Sequence, residues 1–410
     1  MNDQVFEKIQ PLLDRVFKKS PFYREFYAAA GLQRKDIRSS EDFGRIPFSD
    51  KNDLRRAYPL GLQAVPDEEV VRIHSSSGTT GSPVIIPYTR QDVEDWAEMF
   101  SRCYALAGVT PLDRVQITPG YGLWTAGIGF QAGCERLGAM AVPMGPGNTE
   151  KQFQMMIDLK STVLCSTSSY ALLIAEEAQK RGVRDQLCLK RGIIGSERWG
   201  ELMRRRITEE LGIELFDIYG LTEIYGPGIA IDCEQHKGLH YFDDFLYFEI
   251  IDGQGHVLPA GEWGELVITT LVKQAAPLVR YRTHDITRIL PEKCPCGRGY
   301  PMIDRILGRT DDMIKVKGVN IYPGQIDGVL RNCSGVSSEY QIHINHNEGR
   351  DILILKVEKR PGCETRAVEL EVAEKFKKII GIRIDVVAME LGALPRSEKK
   401  SQRVFDYREN

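Results

Sequence analysis

From about residue 70 to residue 305, short apolar runs alternate with stretches of helical periodicity. Alternation of this kind restricts the chain to an α/β architecture in which helices cover the faces of β-sheets. Strands are predicted at Arg114-Val115-Gln116-Ile117, Ala139-Met140-Ala141-Val142-Pro143 and Thr162-Val163-Leu164-Cys165. Helices are predicted over 153–158, 170–179 and 199–210.

The flanks read differently. Residues 1 to about 60 form helices and polar connections, with Phe6, Ile9, Leu12, Leu13, Val16 and Phe17 at helical spacing until Pro21 stops the run. From 247 to 270 the runs Phe248-Glu249-Ile250-Ile251, His256-Val257-Leu258 and Gly264-Glu265-Leu266-Val267-Ile268 predict a β-meander or barrel-like part with tight turns. The polar segment Gly308-Arg309-Thr310-Asp311-Asp312 then precedes new short strands. A boundary is expected there, giving a large N-terminal domain over 1–308 and a small α+β domain over 309–410. The small domain would hold strands at 341–345, 352–357 and 382–387 and a helix at 365–378.

At 410 residues the chain is long enough for two or three domains. Its formal net charge of -3 gives no general attraction to nucleic acid or an anionic membrane. The nearest thing to a basic run, Arg396-Ser397-Glu398-Lys399-Lys400, is short and mixed. The polar start Met1-Asn2-Asp3-Gln4-Val5-Phe6 argues against a secretory signal. No stretch approaches the roughly 18 apolar residues of a membrane span. Nine cysteines, an odd number, do not read as a disulfide framework, so the expected compartment is the cytoplasm.

Five short segments carry candidate chemistry. Ser75-Ser76-Ser77-Gly78-Thr79-Thr80-Gly81 follows a strand-like run; its glycines permit close backbone approach, and its hydroxyls and N–H groups suit phosphate oxygens. It is not a Walker loop, since no Lys follows the second glycine, and a flexible Ser/Gly loop would read the same. In Asp217-Ile218-Tyr219-Gly220-Leu221-Thr222-Glu223, the aromatic can stack on a base, Thr222 can meet phosphate, and Glu223 can hold Mg²⁺. A plain strand end and turn fits this segment equally. Asp285, in Arg280-Tyr281-Arg282-Thr283-His284-Asp285, can take both hydroxyls of a ribose or simply pair with an arginine. The segments 308–318 and 396–400 could each be a polar turn or solvated tail.

Taken together, in this order, the five segments resemble the motifs of the adenylate-forming superfamily of acyl- and aryl-CoA ligases. Further likeness points to the phenylacetate–coenzyme A ligase family. It lies at Tyr121-Gly122-Leu123, Glu135-Arg136-Leu137-Gly138, Pro143-Met144, Thr149-Glu150-Lys151-Gln152, Gly226-Pro227-Gly228 and Gly318-Val319-Asn320-Ile321-Tyr322-Pro323. The resemblance implies an adenylate-forming N-terminal domain and a mobile C-terminal domain. It implies a two-step reaction: a carboxylate attacks the α-phosphorus of ATP, and a thiol, usually of coenzyme A, then displaces AMP.

By the same resemblance, Ser76, Ser77, Gly78, Thr79, Thr80 and Gly81 would embrace the β- and γ-phosphates. Ser196, Glu197 and Tyr219 would flank the adenine, with Asp217 and Gly220 in the same nucleotide segment. Thr222 would touch the α-phosphate, Glu223 would ligate Mg²⁺, and Asp285 and Arg309 would bind the ribose. Lys400 would bridge carboxylate and α-phosphate, stabilising the charge that grows there. Tyr121, Gly122, Trp124, Gly145, Gly195 and Pro227 would line the acyl pocket. Asp311 would be the hinge, and Lys317 and Gly318 would border the coenzyme A channel.

Four positions depart from the family pattern. Ser82 stands where a Lys is usual, which removes a positive charge near the pyrophosphate. Pro119 and Trp124 reshape the aromatic wall of the acyl pocket, so the acid is read only as a flat aromatic one. Arg198 replaces a common Pro and could reach a substrate substituent or point to water.

Cys294-Pro295-Cys296-Gly297, with Cys233 and either His240 or His236, offers four soft ligands suited to structural Zn²⁺, although free thiols in a loop would read the same. Some members of the family show the same pattern, and His240 is the preferred fourth ligand. Cys103, Cys134, Cys165 and Cys188 read as core residues. Alternatives to the CoA ligase are a carrier-protein thiol or another acceptor, an F390-synthetase-like adenylyl transfer, and a silent nucleotide-binding scaffold. The partners expected are the acid, ATP and the thiol, with a homodimer left open.

Overall fold

The computed structural model describes residues 3–76, 82–197, 199–316, 319–347, 350–396 and 402–408. The chain divides into two compact units, Met1–Gly145 with Phe216–Ile306, and Pro146–Leu215 with Leu307–Asn410.

In the first unit, the helix Asp3–Lys19 buries Phe6, Ile9, Leu12, Leu13 and Val16 on one face. Pro21 does more than stop this helix. It opens a second, Pro21–Ala29, whose N-cap Ser20 accepts from the Tyr23 N–H, because a proline is tolerated where the first-turn N–H has no partner. The hairpin Val70–Ser75 with Ile85–Thr89 is antiparallel and leads into the helix Arg90–Leu106. That helix packs on Ala126–Leu137 so closely that a Cβ at Gly129 would lie 2.4 Å from Trp96 Cζ2.

The strands Arg114–Ile117 and Met140–Pro143 run parallel, as a helical crossover requires. Glu214–Leu221, Gly226–Ile231, Leu239–Tyr241, Met302–Ile303 and Ile289–Leu290 form successive antiparallel neighbours. The expected meander is an open antiparallel sheet, Leu246–Ile251, Gly264–Thr270 and Tyr281–Thr287, with Leu246–Ile251 at its edge rather than a closed barrel. His256-Val257-Leu258 is not a strand; it makes one bridge, Ile251 to Val257, because the Asp252 carboxylate turns the chain by accepting from the Gln254 and His256 N–H groups.

A buried ion pair joins the N-terminal segment to this sheet. Arg280 donates to Glu249 at 3.2 and 3.3 Å and to the carbonyls of Gly44 and Ile46 at 2.7 and 2.9 Å, with Phe48 4.0 Å below its guanidinium. Burial pushes the Glu249 carboxyl up, against the pull of Arg280.

In the second unit, the helices Thr149–Asp158, Ser168–Arg181 and Glu201–Leu211 accompany two parallel strands, Val163–Thr167 and Arg191–Gly195. Phe153, Leu164, Ile174, Ile194 and Ile207 share their core. The later part holds the hairpin Ile314–Val316 with Val319–Ile321 and the helix Pro323–Arg331. Its four-stranded sheet runs Asp385–Met389, Arg350–Lys359, Val336–Asn347, Val404–Asp406, covered by the helix Thr365–Ile380. The central pair is antiparallel and both flanking pairs are parallel. Cys188 is exposed, not a core residue. It alternates with the buried Leu189 in an extended connection, so its side chain takes the outward direction.

Replacing Arg280 with Met should strand the Glu249 carboxylate and two carbonyls. We expect urea unfolding to show a loss of about 3–5 kcal/mol, the usual result of removing one partner of a buried pair. Wild-type stability would disprove this role for the pair.

Candidate active site

The phosphate-type loop begins where the strand Val70–Ser75 ends. The Ser76 N–H donates to the Val84 carbonyl at 3.0 Å, and the Ser76 hydroxyl accepts from the Val84 N–H at 2.9 Å. These two bonds pinch the base of the loop shut. Ser77, Gly78, Thr79, Thr80 and Gly81 lie outside the described residues, as do Arg198, Lys317, Gly318 and Lys400.

Just before the loop, His74 is buried between the rings of Tyr88 and Trp96 and donates through Nδ1 to the Leu123 carbonyl at 3.1 Å. Burial lowers its pKa to about 4, so the ring is neutral over the physiological range.

Two predicted nucleotide residues meet in the first unit. The Tyr219 hydroxyl donates to Asp285 at 2.6 Å. Tyr219 sits near the end of a strand that pairs Gly220 with Pro227, and a Cβ at Gly220 would stand 2.1 Å from the Gly226 carbonyl oxygen. Asp285 lies in an irregular stretch of the strand Tyr281–Thr287, where register slips between Glu265 and Val267 of its partner. Such bulges re-aim a side chain out of the regular pleat. The Asp285 N–H is held by the Thr283 hydroxyl at 3.0 Å. Upstream on the strand, the Asp217 N–H donates to Asp232 at 3.1 Å.

The turn after this strand carries Thr222 and Glu223. Thr222 lies 3.3 Å from the Thr125 hydroxyl, and the buried Glu223 pairs with Lys51 Nζ at 3.1 Å. Behind the turn, Lys273 Nζ donates to the Ile224 carbonyl and lies 4.7 and 4.6 Å from the ring centres of Tyr88 and Tyr225. Burial depresses the Lys273 ammonium to about 7, while Asp92 and Glu223 pull it upward. Sequence reasoning missed both lysines. Lys273 had a visible signal, a lone cation in Leu271-Val272-Lys273-Gln274-Ala275-Ala276; Lys51 had none beyond following the N-cap Asp50.

Among the predicted acyl-pocket residues, the Tyr121 ring packs where a Cβ at Gly127 would come within 2.7 Å and one at Gly145 within 3.8 Å. Gly122 takes φ 99°, and Trp124 is 54% exposed. The Pro227 carbonyl accepts from Trp96 Nε1 at 2.8 Å.

In the second unit, Gly195 ends the strand Arg191–Gly195 and Ser196 turns the chain with φ 68°. The Glu197 carboxylate accepts from the Ser168 hydroxyl at 2.9 Å, the Ser169 N–H at 3.1 Å and the Ser169 hydroxyl. It thus caps the positive end of the helix Ser168–Arg181. Arg309 makes a two-pronged pair with Asp311, both contacts 2.8 Å.

A separate cluster forms in the first unit. One ligand atom each from Cys233, His240, Cys294 and Cys296 all lie within 4.8 Å of one another. Cys233 Sγ is 3.6 Å from Cys294 Sγ, and Cys296 Sγ is 3.5 Å from His240 Nε2. His240 Nδ1 donates to the Tyr300 carbonyl at 3.1 Å, which leaves Nε2 with its lone pair toward the thiols. His236 is not in the cluster; it pairs with Asp232 at 3.0 Å. Burial pushes the Cys233 thiol up to about 12 and keeps His240 below its usual range. Three sulfurs and one imidazole nitrogen at this spacing fit a tetrahedral soft-metal site.

The AMP-binding enzyme family matches residues 26–271, and the AMP-binding enzyme C-terminal domain matches 318–408. The phenylacetate-coenzyme A ligase of Pseudomonas putida is 42% identical over 98% of this chain and 93% of its own. That of Thermus thermophilus is 41% identical, over 98% and 95%. Among solved structures, 2-hydroxyisobutyryl-CoA ligase in its postadenylation state superposes with a TM-score of 0.90 at 29% identity, covering 99% of this chain and 90% of that one. The same ligase with CoA in its thioesterification state gives 0.73 at 30% identity over the same shares. The tyrosine–aspartate pair and 38–42% identity with four such ligases over 98% of this chain converge: the chain belongs to the phenylacetate–coenzyme A ligase family of AMP-binding enzymes.

Proposed function

We propose that the chain activates an aromatic, arylacetic-type carboxylic acid with ATP and passes the acyl group to coenzyme A. The products are the acyl-CoA thioester, AMP and pyrophosphate. The single observation that carries this reading within the chain is the 2.6 Å contact of Tyr219 with Asp285, one turn from Thr222 and Glu223. It groups an aromatic for the base, a carboxylate for ribose hydroxyls, a hydroxyl for the α-phosphate and a metal ligand. The relatives' activity on phenylacetate supports the aromatic acid, and Tyr121 and Trp124 suit a flat ring.

In this reading Ser76 to Gly81 hold the β- and γ-phosphates, and Ser196, Glu197 and Tyr219 border the adenine. Asp285 and Arg309 take the ribose; Arg309 exchanges its pair with Asp311 for sugar hydroxyls. Asp217 and Gly220 keep the strand end in place. Glu223 would hold Mg²⁺, which supplies positive charge to the phosphoryl oxygens. Lys51, its partner in the structure, would give up Glu223 to such an ion. Lys400 stabilises the charge that develops as the carboxylate attacks. The acyl group sits among Tyr121, Gly122, Trp124, Gly145, Gly195 and Pro227.

The chain is read as dividing at 308 and 309, with Asp311 as hinge and Lys317 and Gly318 along the coenzyme A channel; the C-terminal family match over 318–408 supports a separate C-terminal domain. Two differently arranged states of the 2-hydroxyisobutyryl ligase support a C-terminal domain that moves between half-reactions. The four-ligand cluster is read as a structural Zn²⁺ site, closed to substrate, that staples 233–240 to 294–296. Nine cysteines with no disulfide among the described residues suit the reducing cytoplasm. Transfer to a carrier-protein thiol is the alternative second step.

Lys400→Ala should cut ATP–pyrophosphate exchange by about 10²–10³ while thioester formation from supplied acyl-adenylate continues; equal loss of both would sink the assignment. Exchange measured over benzoic, phenylacetic, hydroxy-aryl and amino-aryl acids should peak on an arylacetic acid, and free coenzyme A should accept the product. A carrier protein accepting where coenzyme A does not would select the alternative. Elemental analysis should find one zinc per chain, lost with a lower melting temperature in Cys294→Ser. A metal-free, fully stable wild type would contradict the zinc site.

A further inference from the structure

Arg396 stands four residues before Lys400, and its guanidinium is shared between two carboxylates from distant parts of the second unit. It donates to Glu358, on the strand Arg350–Lys359, at 2.9 and 2.8 Å. It also donates to Glu176, on the helix Ser168–Arg181, through Nη2 at 2.6 Å and Nε at 2.9 and 3.1 Å. Glu176 is held from its other side by Arg206 at 2.7 Å, and Arg206 also pairs with Glu210 at 2.5 Å. Glu358 in turn accepts from the Leu394 N–H at 2.8 Å.

The side chains are largely out of water: Arg396 is 10% exposed, Arg206 14%, Glu176 20% and Glu358 0%. At such burial an ion pair is screened little by salt and has a defined geometry. The set therefore ties the segment leading to Lys400 to the helix Ser168–Arg181, across about 220 residues of sequence.

The charge arrangement has a second property. A buried pair that loses one member normally leaves an uncompensated charge, which costs several kcal/mol. Here, separation of Arg396 from Glu176 leaves neither alone. Arg396 keeps Glu358, which belongs to the same C-terminal portion, and Glu176 keeps Arg206. The contact is strong when made and inexpensive to open.

We propose that Glu176 is a positioning residue, acting through Arg396 as a releasable ionic latch that holds the Lys400 segment in place for adenylation. The proposal rests on the reading of Lys400 as the adenylating lysine. Glu176 touches neither substrate nor nucleotide in this scheme; it biases the arrangement in which Lys400 can act. Opening the latch frees the segment for thioester formation. This is an equilibrium effect of one contact on two states, so weakening it slows adenylation without slowing thioester formation.

The test is Glu176→Gln, which keeps shape and removes charge. ATP–pyrophosphate exchange should slow by about five- to tenfold, in kcat with little change in KM for ATP, a range typical of a single coupling contact. Thioester formation from supplied acyl-adenylate should be unchanged or faster. Amide hydrogen exchange across 385–396 should rise in the substrate-free variant. An unchanged adenylation rate, or equal loss of both half-reactions, overturns the latch. If the Gln variant does not fold, Glu176→Asp, whose shorter side chain cannot span both arginines, gives the same readouts. Should Lys400→Ala fail to separate the half-reactions, the lysine reading is lost, and amide exchange alone decides the latch: no rise across 385–396 overturns it.

Discussion

The buried carboxylate of Asp92 organises the first unit. It accepts from the Thr89 N–H at 2.9 Å while the Thr89 hydroxyl accepts from the Asp92 N–H at 3.1 Å, closing the start of the helix Arg90–Leu106. The same carboxylate takes the N–H groups of Gln274 and Ala275 at 2.6 and 2.9 Å. One charge thus binds the hairpin below the phosphate-type loop, the helix that follows it and the chain entering Arg280–Asp285. Lys273, adjacent to Gln274, is consequently fixed against the Ile224 carbonyl and the rings of Tyr88 and Tyr225. An ionised group out of water persists only with partners of this kind.

Three acidic or basic residues of the nucleotide reading share a different property: each leans on an internal partner that a ligand group could replace. Tyr219 holds Asp285, Lys51 holds Glu223, and Asp311 holds Arg309. The partners differ in strength. The Lys51 ammonium, more than a third exposed, makes a weaker claim on Glu223 than a divalent cation would. Glu197 is the exception, since three donors at the start of the helix Ser168–Arg181 occupy its carboxylate. In the proposed binding of adenine it would therefore shape the border of the site while anchored.

The metal-type cluster and the ionic latch solve related problems by different means. Cys233, Cys294 and Cys296 lie in connections between strands and His240 on the short strand Leu239–Tyr241, so side-chain ligation is the natural tie between them. Arg396, Glu176, Glu358 and Arg206 instead offer charges with alternative partners. The first arrangement suits permanence, and the second suits exchange.

Much of this was legible in the order of residues. Alternating apolar runs and helical periods announced the parallel strands 114–117, 140–143 and 163–167 and the helices around them, because those patterns reflect local burial. Cys294-Pro295-Cys296 announced two thiols of the four-residue cluster, because both lie within one short loop. The choice of His240 over His236 needed the pairing of Leu239–Tyr241 with Met302–Ile303, which carries His240 toward the loop, whereas His236 turns to Asp232. Local pattern also misplaced Cys188 and His256-Val257-Leu258, where apolar character suggested burial or pairing but a turn or the outward phase of an extended segment decided. Lys51 on Glu223, Lys273 behind the same turn, and Glu176 on Arg396 join residues 172, 49 and 220 positions apart. The sequence by itself determined the elements, the family motifs and the chemistry available; tertiary structure alone decided which charges meet, because partners that far apart in the chain leave no periodic trace along it.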